Sequence, residues 1–273
     1  MEKQVSNEQE NNVSTEPEVQ TVAEQVNQVS AEPEVQAAAE QVNQEPIEPE
    51  VQTAAEPEKP KEKKPKMSKE QGKNTKGFQI VTNTVPIMIS APHSAKQLRN
   101  GKVQAKEAQT DYFATMIANR ENVSCIFKTA FLNDDANADK ESEYKVELKN
   151  FVQKNGIKYL LDLHTMSDKR LPDICIAING GKNIQNRYTE LQDIISAFNS
   201  NGISTVTVDE PFKAADPNCI SNYISTTCNI PCFHIEINKK FSSITNLFSK
   251  SPFNKQSVED SLCRAVQLLK TRI

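Results

Sequence analysis

Several absences narrow this chain before any motif is read. No aromatic residue precedes Phe78, so the long N-terminal stretch has little with which to offset the entropy of ordering itself. No apolar run approaches the length of a membrane span. Met1-Glu2-Lys3 leads into polar residues and not into the apolar stretch of a signal peptide. No dense Lys/Arg cluster interleaved with aromatics is present, which argues against nucleic acid as a partner. The closest cysteine pair, Cys228 and Cys232, has no second pair to complete a zinc knuckle. With no secretory signal, the six cysteines read as reduced core residues. Histidine is scarce, with only His93, His164 and His234. These absences describe a cytoplasmic chain that meets neither membrane nor nucleic acid.

The charge is unevenly spread. Residues 1–66 hold fifteen Glu against six Lys, a balance of −9, whereas the remainder carries +5. The acidic stretch is repetitive: EPEVQTVAEQVNQVSA at 16–31 returns as EPEVQAAAEQVNQEPI at 32–47, and a third copy starts at 48. A sixteen-residue unit of Glu, Gln, Pro and Ala has too little apolar surface to build a solenoid core. It runs into EKPKEKKPK at 58–66, a Lys/Pro linker. Residues 1–70 therefore read as a disordered tail, and residues 71–273 as one α/β domain. The tail's composition suits a solvating role, with an unknown protein partner as the alternative.

Beyond the tail, strands and helices alternate. Phe78–Val81 and Val85–Ile89 read as two adjacent strands, and 105–120 as an amphipathic helix. Val123–Phe127 returns as a strand, FLNDDANAD at 131–139 is a polar loop, and 141–154 is a helix. Ile157–His164, IKYLLDLH, is a short apolar run bounded by turn signals, the pattern of a strand buried on both faces. Strands follow at Ile174–Ile178, Ile203–Val208 and Ile230–Ile237, with helices at 183–200, 219–227 and 256–271.

The chemistry gathers at strand ends, where ligands bind in open α/β sheets. His93 follows one strand and His164 closes another, with Asp162 two residues before it. Two such histidines plus a carboxylate would make a three-ligand zinc site with an open position for water. A histidine that hydrogen-bonds a loop is the structural alternative. In FHIEIN, Glu236 puts a charge inside a buried strand on the same face as His234. A glutamate beside the water could serve as general base; a structural salt bridge is the competing reading.

These segments resemble the N-formylglutamate amidohydrolase family across about residues 85–240. Ala91-Pro92-His93-Ser94-Ala95 is similar to its P-H-S-G motif, and Thr110-Asp111-Tyr112 to its T-D-W segment. Asp135-Ala136-Asn137-Ala138 resembles its D-x-N-R loop, and Asp162-Leu163-His164-Thr165 its D-x-H-S motif. Leu171-Pro172-Asp173, Phe212-Lys213-Ala214-Ala215 and His234-Ile235-Glu236 match its L-P-D, F-K-G-G and Q-x-E segments in order.

The resemblance implies a mixed, mostly parallel sheet sandwiched by helices, like that of zinc carboxypeptidases and aspartoacylase. It implies hydrolysis of an N-formyl or N-acyl amide on an acidic amino acid, with one divalent metal ion, zinc in the family. Carried over by position, His93, Asp111 and His164 become metal ligands and Glu236 the general base. Lys96 sits where an H-x-x-E glutamate would be. Asp162, Arg99, Asp135, Asn137, Arg170 and Lys213 become supporting or substrate-binding groups. Three residues depart from the pattern: Ala138 replaces arginine, Ala214-Ala215 a glycine pair, and Ala95 a glycine. An inactive member serving as a binding module, or a hydrolase of short peptides or other N-acyl amino acids, is the alternative.

Overall fold

The computed structural model describes residues 76–241 and 255–273. The repeat tail and the Lys/Pro linker lie outside the described residues. Among those described, no helix is long and apolar enough to cross a membrane.

Seven strands form one mixed sheet. In chain order they are β1 (Phe78–Val81), β2 (Val85–Ala91), β5 (Val123–Lys128), β6 (Tyr159–Met166), β7 (Ile174–Ala177), β8 (Val206–Val208) and β9 (Cys232–Asn238). Strands β3 (Gln97–Arg99) and β4 (Lys102–Gln104) pair apart from it as a hairpin. The sheet order is β1-β5-β2-β6-β9-β7-β8. The run β5-β2-β6-β9 is parallel throughout, as is β7-β8, whereas β1-β5 and β9-β7 are antiparallel. The two N-terminal strands are thus not neighbours, because β5 separates β1 from β2. A three-residue link suggests a hairpin, but the return of Val123–Lys128 between them gives both strands a partner.

Every residue of β6 and of β9 is buried, as expected of strands covered on both faces. Successive side chains alternate between those faces. Ile87, Ile89, Leu161, Leu163, Phe233 and Ile235 point into a large core. Helices α1 (Thr110–Glu121), α3 (Tyr188–Ser200) and α5 (Lys255–Lys270) cover that core. The intervening residues Met88, Leu160 and Cys232 meet a smaller core under α2 (Glu143–Lys154) and α4 (Ile220–Cys228). Continuing along the same face, Leu160 is followed by Asp162 and His164, and Cys232 by His234 and Glu236. Polar side chains therefore take over from the smaller core toward the carboxyl ends of the central strands.

That polar take-over is anchored from below. Tyr144 of α2 is fully buried, and its Oη lies 3.0 Å from Ser90 Oγ, accepts from the Ala91 amide at 3.0 Å and donates to the Ile126 carbonyl at 2.9 Å. It ties α2 to β2 and β5 where Ser90 pairs with Asp162 across the ladder. Helix α1 starts later than its apolar spacing suggests. Gln109 takes a left-handed conformation (φ 65°) immediately before Thr110. Residues 105–109 thereby become a loop, which carries Glu107 back toward β2: the Glu107 amide donates to the His93 carbonyl at 2.9 Å.

Candidate metal centre

Three central strands deliver the three histidines to one place. His93 lies two residues beyond the end of β2, His164 is within β6, and His234 is within β9. His164 is inside its strand, since β6 runs on to Met166. The parallel β6-β9 register sets Asp162 beside His234 and His164 beside Glu236. The His93 and His164 rings meet edge to face at 4.8 Å, and the His164 and His234 rings stack at 4.2 Å.

Each imidazole sits between two carboxylates. His93 Nδ1 lies 2.8 Å from Glu107 Oε1, and its Nε2 lies 2.8 Å from Asp135 Oδ1. His164 Nδ1 lies 3.3 Å from Glu107 Oε2, and its Nε2 lies 3.2 Å from Asp162 Oδ2. His234 Nδ1 lies 3.4 Å from Asp162 Oδ2, and its Nε2 lies 3.2 Å from Glu236 Oε1. The order is Asp135, His93, Glu107, His164, Asp162, His234, Glu236, an alternating and almost wholly buried series.

Burial and charge oppose each other here. Burial alone would raise the Glu107 and Asp162 pKa values, but the facing histidines hold both below the usual carboxylate range. Burial also favours a protonated Asp135, and His93 and Arg99 outweigh it and keep the carboxylate ionised. Burial would discharge His93 and His164, yet the flanking carboxylates raise both. For His234, burial and the His164 charge are outweighed by Asp162 and Glu236.

A divalent ion fits this donor set. His93, Glu107 and His164 bring one ligand atom each within 4.8 Å of the others. Glu107 reaches both histidines with separate oxygens, and its Oε2 is further fixed by the Thr165 amide at 2.9 Å. Behind His93, Asp135 Oδ1 meets the other ring nitrogen, the arrangement that orients metal-ligating histidines. Two imidazoles and a carboxylate match zinc and other transition ions.

The remaining residues expected at the site are dispersed around it. Asp111, carried over as the carboxylate ligand, is not in this cluster; its Oδ1 accepts from the Tyr112 amide at 3.0 Å in the first turn of α1. Arg99 reaches in from the β3-β4 hairpin, with Nε 2.6 Å from Asp135 Oδ2. Asn137 turns away, accepting from the Ile220 amide at 2.8 Å at the start of α4. Arg170 stacks on Phe212 at 4.7 Å, and its carbonyl accepts from Asn238 Nδ2 at the end of β9. Lys213 is exposed, and its carbonyl accepts from the Asn179 amide. Glu107 is the member of this cluster that sequence reasoning passed over. A helix from 105 would leave it on a solvent face, and the only local signal against that is a glutamate fourteen residues after His93 in a segment not yet committed to helix.

No family model and no curated protein matches the chain. Solved structures do. N-formylglutamate amidohydrolase from Ralstonia eutropha JMP134 superposes with a TM-score of 0.54 at 13% identity, covering 72% of this chain and 100% of that one. The chain has that amidohydrolase's fold. Weaker similarities, at a TM-score of 0.45, extend to a bacteriophage poly-γ-glutamate hydrolase and a metallo-carboxypeptidase from Burkholderia cenocepacia. The first is 15% identical and covers 72% of this chain and 89% of that one. The second is 14% identical and covers 68% and 56%. The amidohydrolase-like fold places His93, His164 and His234 at the carboxyl ends of the central parallel strands, where such sheets bind ligands.

Proposed function

We propose that this chain is a metal-dependent amidohydrolase that removes the N-formyl or other N-acyl group from an acidic amino acid. The observation that carries this reading is the Glu107 carboxylate spanning His93 and His164. The resemblance of seven ordered motifs to N-formylglutamate amidohydrolases supports the substrate class.

His93, Glu107 and His164 would hold the ion, which replaces Asp111 by Glu107 in the ligand set. When bound, a divalent ion supplies Lewis acidity toward the amide carbonyl. Glu236 takes a proton from the attacking water as the oxygen–carbon bond forms, then gives it to the amide nitrogen as the carbon–nitrogen bond breaks. Its place beside His164 across the ladder suits that role. Asp135 and Asp162 hold the rings in orientation. Ala138 stands where the family's loop has arginine, so Arg99, already at Asp135 and half exposed, is assigned the substrate carboxylate; a guanidinium fork suits it.

The hydrolytic unit is assigned to residues 71–273, in a cytoplasmic protein whose tail takes no part in the chemistry. The experiment is to incubate the zinc-loaded full chain with N-formyl and N-acetyl amino acids and detect freed amine. Release confined to acidic substrates, and losing that preference in Arg99→Ala, supports the reading. No release from any of them overturns it.

A further inference from the structure

The polar series does not end at the three ligands just described. Asp162 differs in kind from Asp135, the carboxylate behind His93. Asp135 is fully served: Oδ1 meets His93 and accepts from the Asn137 amide at 3.0 Å, and Oδ2 carries the Arg99 guanidinium. Asp162 is completely buried, has no Lys or Arg against it among the described residues, and its Oδ1 has no hydrogen-bond partner there. His234, 4% exposed, also leaves Nδ1 without one, because the 3.4 Å approach to Asp162 Oδ2 lacks hydrogen-bond alignment. Unpartnered buried donors and acceptors are costly and rare.

We infer that Asp162, His164 and His234 form a second divalent-cation site, joined to the first through the His164 ring. Their donor atoms lie within 4.8 Å of one another. Asp162 Oδ2 is 3.2 Å from His164 Nε2 and 3.4 Å from His234 Nδ1. Ligands bound tetrahedrally at about 2.0–2.1 Å stand about 3.3–3.4 Å apart, so these separations suit two ligands of one ion as well as they suit the long His164–Asp162 hydrogen bond.

His164 can serve both sites because its two nitrogens face different carboxylates, Nδ1 toward Glu107 and Nε2 toward Asp162. An imidazole that binds an ion at each nitrogen has given up both ring protons and bridges as imidazolate. Charge favours the same arrangement. Three buried carboxylates, Asp135, Asp162 and Glu236, and the partly buried Glu107 are accompanied by a single guanidinium, that of Arg99 on Asp135. An ion between Asp162 and the two rings would place positive charge against a carboxylate of the group that has no Lys or Arg beside it among the described residues. His234 is this chain's own contribution, since glutamine occupies the corresponding place in the family's Q-x-E segment.

The inference rests on the proposed function only for the first ion, and the test separates the two. Untagged full-length chain is equilibrated with Zn²⁺, dialysed and assayed for metal, alongside His234→Gln and Glu107→Gln. Two zinc ions per wild-type chain and one in His234→Gln are expected. One zinc in both wild type and His234→Gln, lost in Glu107→Gln, leaves the first site standing and overturns the second. No zinc in the wild type overturns both, and two in His234→Gln places the extra ion elsewhere and overturns the inference. A second readout needs no variant. Wild type loaded with Cu²⁺ should give an electron paramagnetic resonance signal well below its copper content, because imidazolate-bridged ions couple antiferromagnetically. Full signal from two copper ions contradicts the bridge.

Discussion

Glu107 Oε2 stands 3.3 Å from His164 Nδ1, brought there by a loop from one end of the hairpin to the start of α1. The other oxygen of the same carboxylate contacts His93. This carboxylate, not that of Asp111, links the two histidines that the motifs single out. Glu107→Gln should therefore lose the ion held with His93 and His164, and Asp111→Asn should retain it. Metal analysis of the two purified variants checks this, and the reverse pattern would restore Asp111 as the ligand.

Glu236 offers a separation of chemistry from binding. Glu236→Gln keeps size and hydrogen-bonding reach but cannot accept a proton. Metal content and KM should survive while kcat falls by about a hundredfold or more, the usual scale for loss of a general base. A variant that turns over at nearly the wild-type rate would make Glu236 a structural partner of His234.

Acid should destabilise the metal-free protein progressively as pH falls below about 4. Glu107, Asp135 and Asp162 have depressed folded pKa values, so the stability they contribute is present above the unfolded carboxylate value, about 4. It is lost as pH falls through their folded values. The raised histidines act in the other direction: their contribution is complete below about 6.5 and is lost as pH rises through their folded values. Metal binding needs those rings deprotonated. The gain in Tm on adding zinc should consequently grow between about pH 6 and pH 8. A gain that shrinks over that range contradicts histidine ligation.

Removing residues 1–66 should leave Tm and hydrolysis unchanged, because a stretch with no aromatic residue can dock little apolar surface. A large fall in Tm on truncation would show that the repeats belong to the fold.

The sheet was legible where the residues carry a strong pattern. Tyr159–Met166 and Cys232–Asn238 are apolar runs with charges at alternate positions, and period-two alternation puts Asp162 with His164 and His234 with Glu236 whatever else surrounds them. His93 announced itself by following a strand. Other features depend on contacts that no local pattern records. The hairpin at 97–104 consists of two three-residue strands, one of them wholly exposed, and offers no apolar signature. The insertion of β5 between β1 and β2 is a tertiary choice. Glu107 was hidden because Ala108, Tyr112, Phe113, Met116 and Ile117 extend a helical period backward through it, whereas the left-handed turn at Gln109 ends the helix before it. Asp111, two residues beyond Gln109, is the carboxylate that a motif passes through.

The central claim is that a metal held by His93, Glu107 and His164 makes this chain a hydrolase of N-acyl amino acids. Its most direct test is the rate of amine release from N-formyl-L-glutamate by the full chain as purified, after chelation and dialysis, and after zinc is restored. The account predicts release that disappears on metal removal and returns with zinc. Release that continues unchanged in the metal-free protein would contradict it.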